Sequence, residues 1–229
     1  MYLAIEGIKG SGKSTVFSEV FRQLVSRGYQ PARLEPTTAR RDSLVDRAYD
    51  LLGNFCPNPV IERVYAYRSN RAAREVSRRA RLILGQRSIL TSYVTRWNYE
   101  DPEAGLRHVD ALENRIAIPD HVIFLAIPPE SAAERIKMRE KRTYGIGDQS
   151  LRRLREANHL YRHLMWQASR YSLEKITWHN VDATQRLDDV VFATRSLVED
   201  IFLSDFQPAT AIFKKCIDAT VATTKGKSQ

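Results

Sequence analysis

The sequence predicts an α/β protein, a doubly wound parallel five-stranded sheet with helices on both faces, and three observations predict it. Short apolar runs alternate with stretches of helical periodicity along the chain, which implies parallel strands joined by right-handed crossovers. The first apolar run leads directly into a glycine-rich loop and then a helix, an order that places the loop beyond the end of a parallel strand. Finally, 229 residues with 43% hydrophobic and 28% charged side chains suit one substantial core rather than two small ones.

Taken in order, Tyr2-Leu3-Ala4-Ile5 is an apolar run ended by Glu6-Gly7 and reads as a buried strand. From Ser14 to Arg27 the apolar residues Val16, Phe17, Val20, Phe21, Leu24 and Val25 recur at helical spacing, and Gly28 supplies a stop. Pro31 to Pro36 is a second short strand, because the residue before a proline is pushed toward extended geometry. Helices are expected over Asp42 to Leu52 and Val60 to Arg79, split by the turn-rich Asn54-Phe55-Cys56-Pro57-Asn58-Pro59. Leu82-Ile83-Leu84-Gly85 is the third strand, followed by helices over Ile89 to Trp97 and Pro102 to Ile116. His121 to Ile127 carries the strongest strand signal. Beyond it come a helix from Ser131 to Lys141, a glycine-containing loop from Arg142 to Gln149 and a long helix from Ser150 to Tyr171. A strand from Ile176 to Val181 and a helix from Arg186 to Ile201 complete the pattern.

Composition excludes several classes. No apolar run approaches the ~20 residues of a bilayer span, and the N-terminus lacks a basic segment followed by an apolar core, so a cytoplasmic protein with no membrane partner is expected. Cys56 and Cys216 stand far apart with no second cysteine or histidine nearby, so two free thiols are expected and no structural zinc. The net charge of +9 and pI near 9.7 suit polyanionic small substrates or nucleic acid. Nine lysines stand against 27 arginines, and arginine is the better planar clamp for phosphate. Blocks such as Arg78-Arg79-Ala80-Arg81 and Arg152-Arg153-Leu154-Arg155 read instead as solvated helix faces, so a nucleic-acid partner is not the expectation.

The chemistry lies in Gly7-Ile8-Lys9-Gly10-Ser11-Gly12-Lys13-Ser14, a complete match to the phosphate-binding loop pattern with a strand before it and a helix after. Glycines let backbone N–H groups line a concave anion site, and the helix N-terminus adds positive potential. In this pattern Lys13 reaches the terminal phosphates and Ser14 ligates magnesium, which implies ATP and Mg2+ as cofactors. The Asn-Lys-x-Asp of a guanine-reading switch is absent. So is the strand-end acid of motor ATPases, at both Leu84-Gly85-Gln86 and Ala126-Ile127.

Around this loop, from Tyr2 to about Ile201, the chain resembles the thymidylate kinases of the nucleoside and nucleotide kinase group. The resemblance rests on Ile5-Glu6-Gly7, Glu35-Pro36-Thr37, Ser69-Asn70-Arg71, Gln86-Arg87-Ser88, Pro119 to Leu125, Pro128-Pro129-Glu130, Glu134-Arg135 and Val181-Asp182-Ala183, in that order. It implies phosphoryl transfer from ATP to a nucleoside monophosphate, with thymidylate the leading acceptor. It further implies that Gly7, Lys9, Gly10, Ser11, Gly12, Lys13, Ser14, Thr15, Arg135, Arg139 and Asp182 hold ATP. On the acceptor side it implies Glu35, Tyr67, Arg71, Gln86 and Arg87, with Arg87 on the acceptor phosphate and Tyr67 either stacked on the base or packed in the core. An arginine-rich lid around 138–150, including Arg139 and Arg142, would close over the phosphates and exclude water, so Lys13, Arg87, Glu35 and Arg142 are the expected catalytic set. The kinase-like domain is expected over 1–204, with 205–229 a partly helical or disordered extension, and a homodimer is compatible with the sequence.

Two residues depart from the resemblance. Lys9 and Gln86 stand where the family usually has aspartate, which removes two carboxylates near the magnesium and the acceptor phosphate. Gln86-Arg87-Ser88 is equally similar to the Glu-Arg-Ser of deoxynucleoside kinases, where Glu35 would serve as base on a 5′-hydroxyl. A nucleoside kinase and a nucleotide-binding module without catalysis therefore both stay open.

Overall fold

A computed structural model describes residues 1–39, 43–52, 56–76, 80–138 and 150–206. The first strand, β1 (Tyr2–Glu6), has all five residues buried, so elements cover both of its faces. It pairs in parallel with β3 (Ile83–Gln86) on one side and with β4 (His121–Ala126) on the other. Outside these lie β2 (Ala32–Leu34) against β3 and β5 (Thr177–Asp182) against β4, giving the order β2-β3-β1-β4-β5. The parallel five-stranded sheet read from the sequence is thus the observed one.

Eight helices accompany the sheet among the described residues: α1 (Lys13–Ser26), α2 (Leu44–Leu52), α3 (Asn58–Glu75), α4 (Ile89–Thr95), α5 (Pro102–Leu112), α6 (Pro129–Lys137), α7 (Leu151–Trp166) and α8 (Leu187–Phe206). Four start on side-chain caps, with Ser43, Ser88, Asp101 and Ser150 accepting from the backbone N–H groups of Asp46, Leu90, Ala104 and Arg153. No described helix is long and apolar enough to cross a membrane.

Several helices stop earlier than periodicity predicts. α5 ends at Leu112 because Glu113, 1% exposed, turns inward to accept from Arg96 Nη1 at 2.9 Å. The helix expected to run to Tyr171 ends at Trp166 and is followed by one 3₁₀ turn, Ala168–Tyr171. There the Leu173 N–H donates to the Ala168 carbonyl, Tyr171 packs edge-on to Trp97, and its hydroxyl lies 2.9 Å from His163 Nε2. Tertiary contacts of this kind override local periodicity. α8 instead continues past Ile201 to Phe206.

The chain divides into two units, Met1–Arg195 and Ser196–Gln229. The first carries the whole sheet. The second is helical through Phe206, with Ser204 Oγ donating to the Ile201 carbonyl at 2.8 Å. Cys216, the lid segment 139–149 and the tail from 207 lie outside the described residues.

Candidate active site

The register aligns the C-terminal ends of the strands. Leu34 lies opposite Gly85, Ile5 opposite Gln86, Glu6 opposite Phe124 and Ala126 opposite Asp182. The segments expected to act, Gly7 to Ser14, Glu35, Gln86-Arg87 and Asp182, therefore all leave the same edge of the sheet. The connection from β1 runs toward β2 on one side and that from β3 to β4 on the other, so the crevice between β1 and β3 is the topological switch point where ligands bind.

Three glycines of the loop have positive φ: Gly7 (147°), Gly10 (89°) and Gly12 (92°). At Gly10 a Cβ would lie 2.5 Å from the Ala132 carbonyl, so only glycine lets the loop lie against α6. Gly12 is the N-cap of α1, whose first turn holds no acidic residue, leaving the positive end of that helix uncompensated. Ser11 Oγ is buried inside the loop without a hydrogen-bond partner among the described residues. Lys13, 5% exposed, donates Nζ to the carbonyls of Gly7 at 2.5 Å and Ile8 at 2.7 Å. This cradle of donors fits a chain of phosphates. For a divalent cation the protein offers neutral oxygen: Ser14 Oγ is exposed, and it accepts from Gln86 Nε2 at 2.5 Å. No cluster of three acidic, histidine or cysteine side chains able to hold a metal occurs among the described residues.

Arg87 follows β3 with φ 77°, a left-handed conformation uncommon for a residue with a side chain. Both flanking peptides are tied to β1. The Arg87 N–H donates to the Ile5 carbonyl at 3.1 Å, the Tyr2 hydroxyl donates to the Arg87 carbonyl at 3.2 Å, and the Ser88 N–H donates to Glu6 Oε1 at 2.7 Å. Gly85 makes room for this, since a Cβ there would lie 2.7 Å from the Tyr2 ring. Sequence reasoning singled out Arg87 but not Glu6, which is wholly buried and accepts from Ser88, Thr91 and Tyr161. The available signal was a carboxylate ending an otherwise apolar buried strand, which requires internal donors. Burial and the Glu6 charge push the hydroxyls of Tyr2 and Tyr161 well above the usual tyrosine range, so both stay protonated and donate.

Glu35 accepts from Arg33 at 3.3 Å, and Arg33 lies over the rings of Phe17 and Phe21. Asp182 accepts from Thr184 and Gln185 in its own turn, and those hydrogen bonds lower its pKa to about 2. Tyr67 and Arg71, one helical turn apart on α3, share a face, and Arg71 Nε donates to Glu75. α3 is joined to α2 by a buried ion pair that the sequence did not reveal. Arg68 Nε donates to Asp46 Oδ1, and the guanidinium lies 5.1 Å and 5.3 Å from the Tyr49 and Tyr65 ring centroids. Lys9 is half-buried in the loop, Thr15 is exposed on α1, and Arg135 is half-buried on α6. Arg139 and Arg142 lie outside the described residues.

A parallel sheet with a phosphate loop at its switch point and an arginine turn on the neighbouring strand defines a P-loop phosphotransferase. The family profile described as thymidylate kinase matches residues 5–192, and the chain belongs to that family, whose members are nucleoside monophosphate kinases. Among curated proteins the chain is similar to a probable thymidylate kinase of Thermoplasma acidophilum, 25% identical over 175 residues that cover 72% of this chain and 84% of that one.

Proposed function

We propose that the chain transfers the γ-phosphoryl group of ATP to a nucleoside monophosphate, with thymidylate as the acceptor. The observation that carries this reading is the Gln86–Ser14 hydrogen bond across the β1/β3 crevice, which brings the head of the donor-phosphate helix within one residue of Arg87. Phosphoryl transfer needs two polyanions held end to end with their charge neutralised, and that is what a phosphate loop facing an arginine turn supplies. In this reading Gly7, Lys9, Gly10, Ser11, Gly12 and Thr15 hold the donor phosphates, Lys13 neutralises charge on the transferred group, and Ser14 holds magnesium. Bound Mg2+ would screen the negative charge of the phosphates. Arg135, Arg139 and Arg142 close the donor side, and Asp182 lies with β5 at the nucleoside end. Arg87 clamps the acceptor phosphate, Gln86 and Glu35 border it, and Tyr67 and Arg71 meet the acceptor nucleoside. The family profile and the similarity to a probable thymidylate kinase support this assignment.

One observation favours a second reading. Position 86 holds an amide, while Glu35 stands at the end of β2 as an acid able to deprotonate a 5′-hydroxyl. A nucleoside would then be the acceptor. ADP release measured with thymidylate, the other nucleoside monophosphates and thymidine decides between them. Turnover with thymidylate in preference to the other monophosphates, and none with thymidine, is expected. Turnover with thymidine alone contradicts the monophosphate assignment.

A further inference from the structure

We propose that Glu6 is a positioning residue that sets the acceptor clamp: its buried carboxylate locks the Arg87 turn to the strand that carries the phosphate loop. The proposal rests on the reading of Arg87 as the acceptor-phosphate clamp and adds to it the group that holds the clamp in place.

Glu6 is 0% exposed. Oε1 accepts from Ser88 N at 2.7 Å and Ser88 Oγ at 2.8 Å, and Oε2 accepts from Thr91 Oγ1 and the Tyr161 hydroxyl, both at 2.9 Å. A buried carboxylate is tolerated only with such a donor shell, and apolar packing stabilises a strand end at least as well. A purely architectural role therefore does not call for a charge at this position. Its partners do explain one. They come from the turn after β3, from α4 and from α7, at sequence separations of 82, 85 and 155 residues. All converge on the residue immediately before Gly7. The left-handed Arg87 is a strained conformation that persists only where its surroundings over-determine it. Of the three bonds fixing its two peptides among the described residues, only the one to Glu6 is charge-assisted. Because Glu6 and Gly7 are adjacent, the same residue fixes where the donor loop begins and where the acceptor arginine starts.

Glu6→Gln keeps the shape and one accepting oxygen but removes the charge. Hydrogen–deuterium exchange on the peptide spanning Gln86 to Leu90 is expected to accelerate by roughly tenfold, about the weakening of one hydrogen bond. Steady-state kinetics should show acceptor kcat/KM falling by about 10²-fold, as for a misplaced orienting group, with the KM for ATP nearly unchanged. In an Arg87→Ala background the same substitution should have almost no further effect on the acceptor, because it acts through that arginine. A general structural role predicts additive losses and a raised ATP KM as well, and either result overturns the proposal. Should Glu6→Gln not fold, Tyr161→Phe, which keeps its ring 5.3 Å from Phe124, runs the same tests with smaller changes of the same sign. If the wild-type protein phosphorylates no monophosphate, the functional reading fails on its own. The exchange experiment still decides the positioning, and exchange at the wild-type rate contradicts it.

Discussion

Lys13 sits at 5% exposure with its ammonium on the carbonyls of Gly7 and Ile8, held within the loop rather than used as packing. Lys13→Ala should therefore leave the circular dichroism spectrum unchanged and lower kcat by about 10²–10³-fold, the range for removing one donor aimed at developing charge. A folded variant with undiminished turnover would contradict its role. Beside it, Ser14 receives a hydrogen bond from the neutral amide of Gln86, where the family usually has a carboxylate, and Lys9 adds a positive charge to the same loop. A cation there meets a weaker field than two carboxylates would give, so magnesium should bind loosely. Converting both Lys9 and Gln86 to aspartate should lower the magnesium concentration that half-saturates the binding of a fluorescent ATP analogue by roughly tenfold, within the range for groups that tune a metal site. The competing account gives the missing charge to Glu35. It predicts no gain in the double variant and a loss of magnesium dependence in Glu35→Gln.

At the scale of elements, the α2–α3 pair hangs on Arg68 and Asp46, whose side chains are 6% and 2% exposed. Removing one partner leaves the other charge buried, so Asp46→Ala should destabilise the protein by about 3 kcal/mol in denaturant unfolding, whereas a surface pair of similar geometry contributes under ~1 kcal/mol. A loss as small as the surface value would show that the pair is not buried in solution. On β4 and β5, His121 Nδ1 and His179 Nε2 are 3.2 Å apart, with the rings stacked. Burial first, and His121 second, lower the His179 pKa. A group held below its ordinary value carries fewer protons in the folded state, so stability is full above pH ~6.5 and falls as pH drops toward the folded pKa. Denaturant curves on either side of that pH should show wild type losing more stability on acidification than His179→Gln, and equal slopes would contradict this. The elements themselves were legible because each rests on local periodicity, sharpened for β1, α1, β2 and β3 by a nearby glycine or proline. Their ends were less so: α5 and α7 stop where Glu113 and Tyr171 find partners distant in sequence, which no local pattern encodes.

Over the whole molecule, the order β2-β3-β1-β4-β5 puts the phosphate loop at the centre, Glu35 and Arg87 on one side and Asp182 on the other. In the proposed reading the β2–β3 side takes the acceptor and the β4–β5 side the donor nucleoside. The loop, Arg87 and Gln86 could be read from sequence because their motifs are contiguous. Glu6 with Tyr161, and Asp46 with Arg68, could not, because each is one buried charge whose partner arrives from another element. The high arginine content, part of a net charge of +9, fits the proposed site for ATP and a nucleoside monophosphate, in which donor loop and acceptor turn are continuous. Binding of an adenosine–thymidine conjugate joined 5′ to 5′ by a polyphosphate tests this directly, since it spans both halves only if they lie end to end. Affinity at least ~10²-fold above that of ATP alone is expected, as for two linked ligands, with the gain lost in Arg87→Ala. A conjugate that binds no tighter than ATP, or equally well to Arg87→Ala, would contradict it.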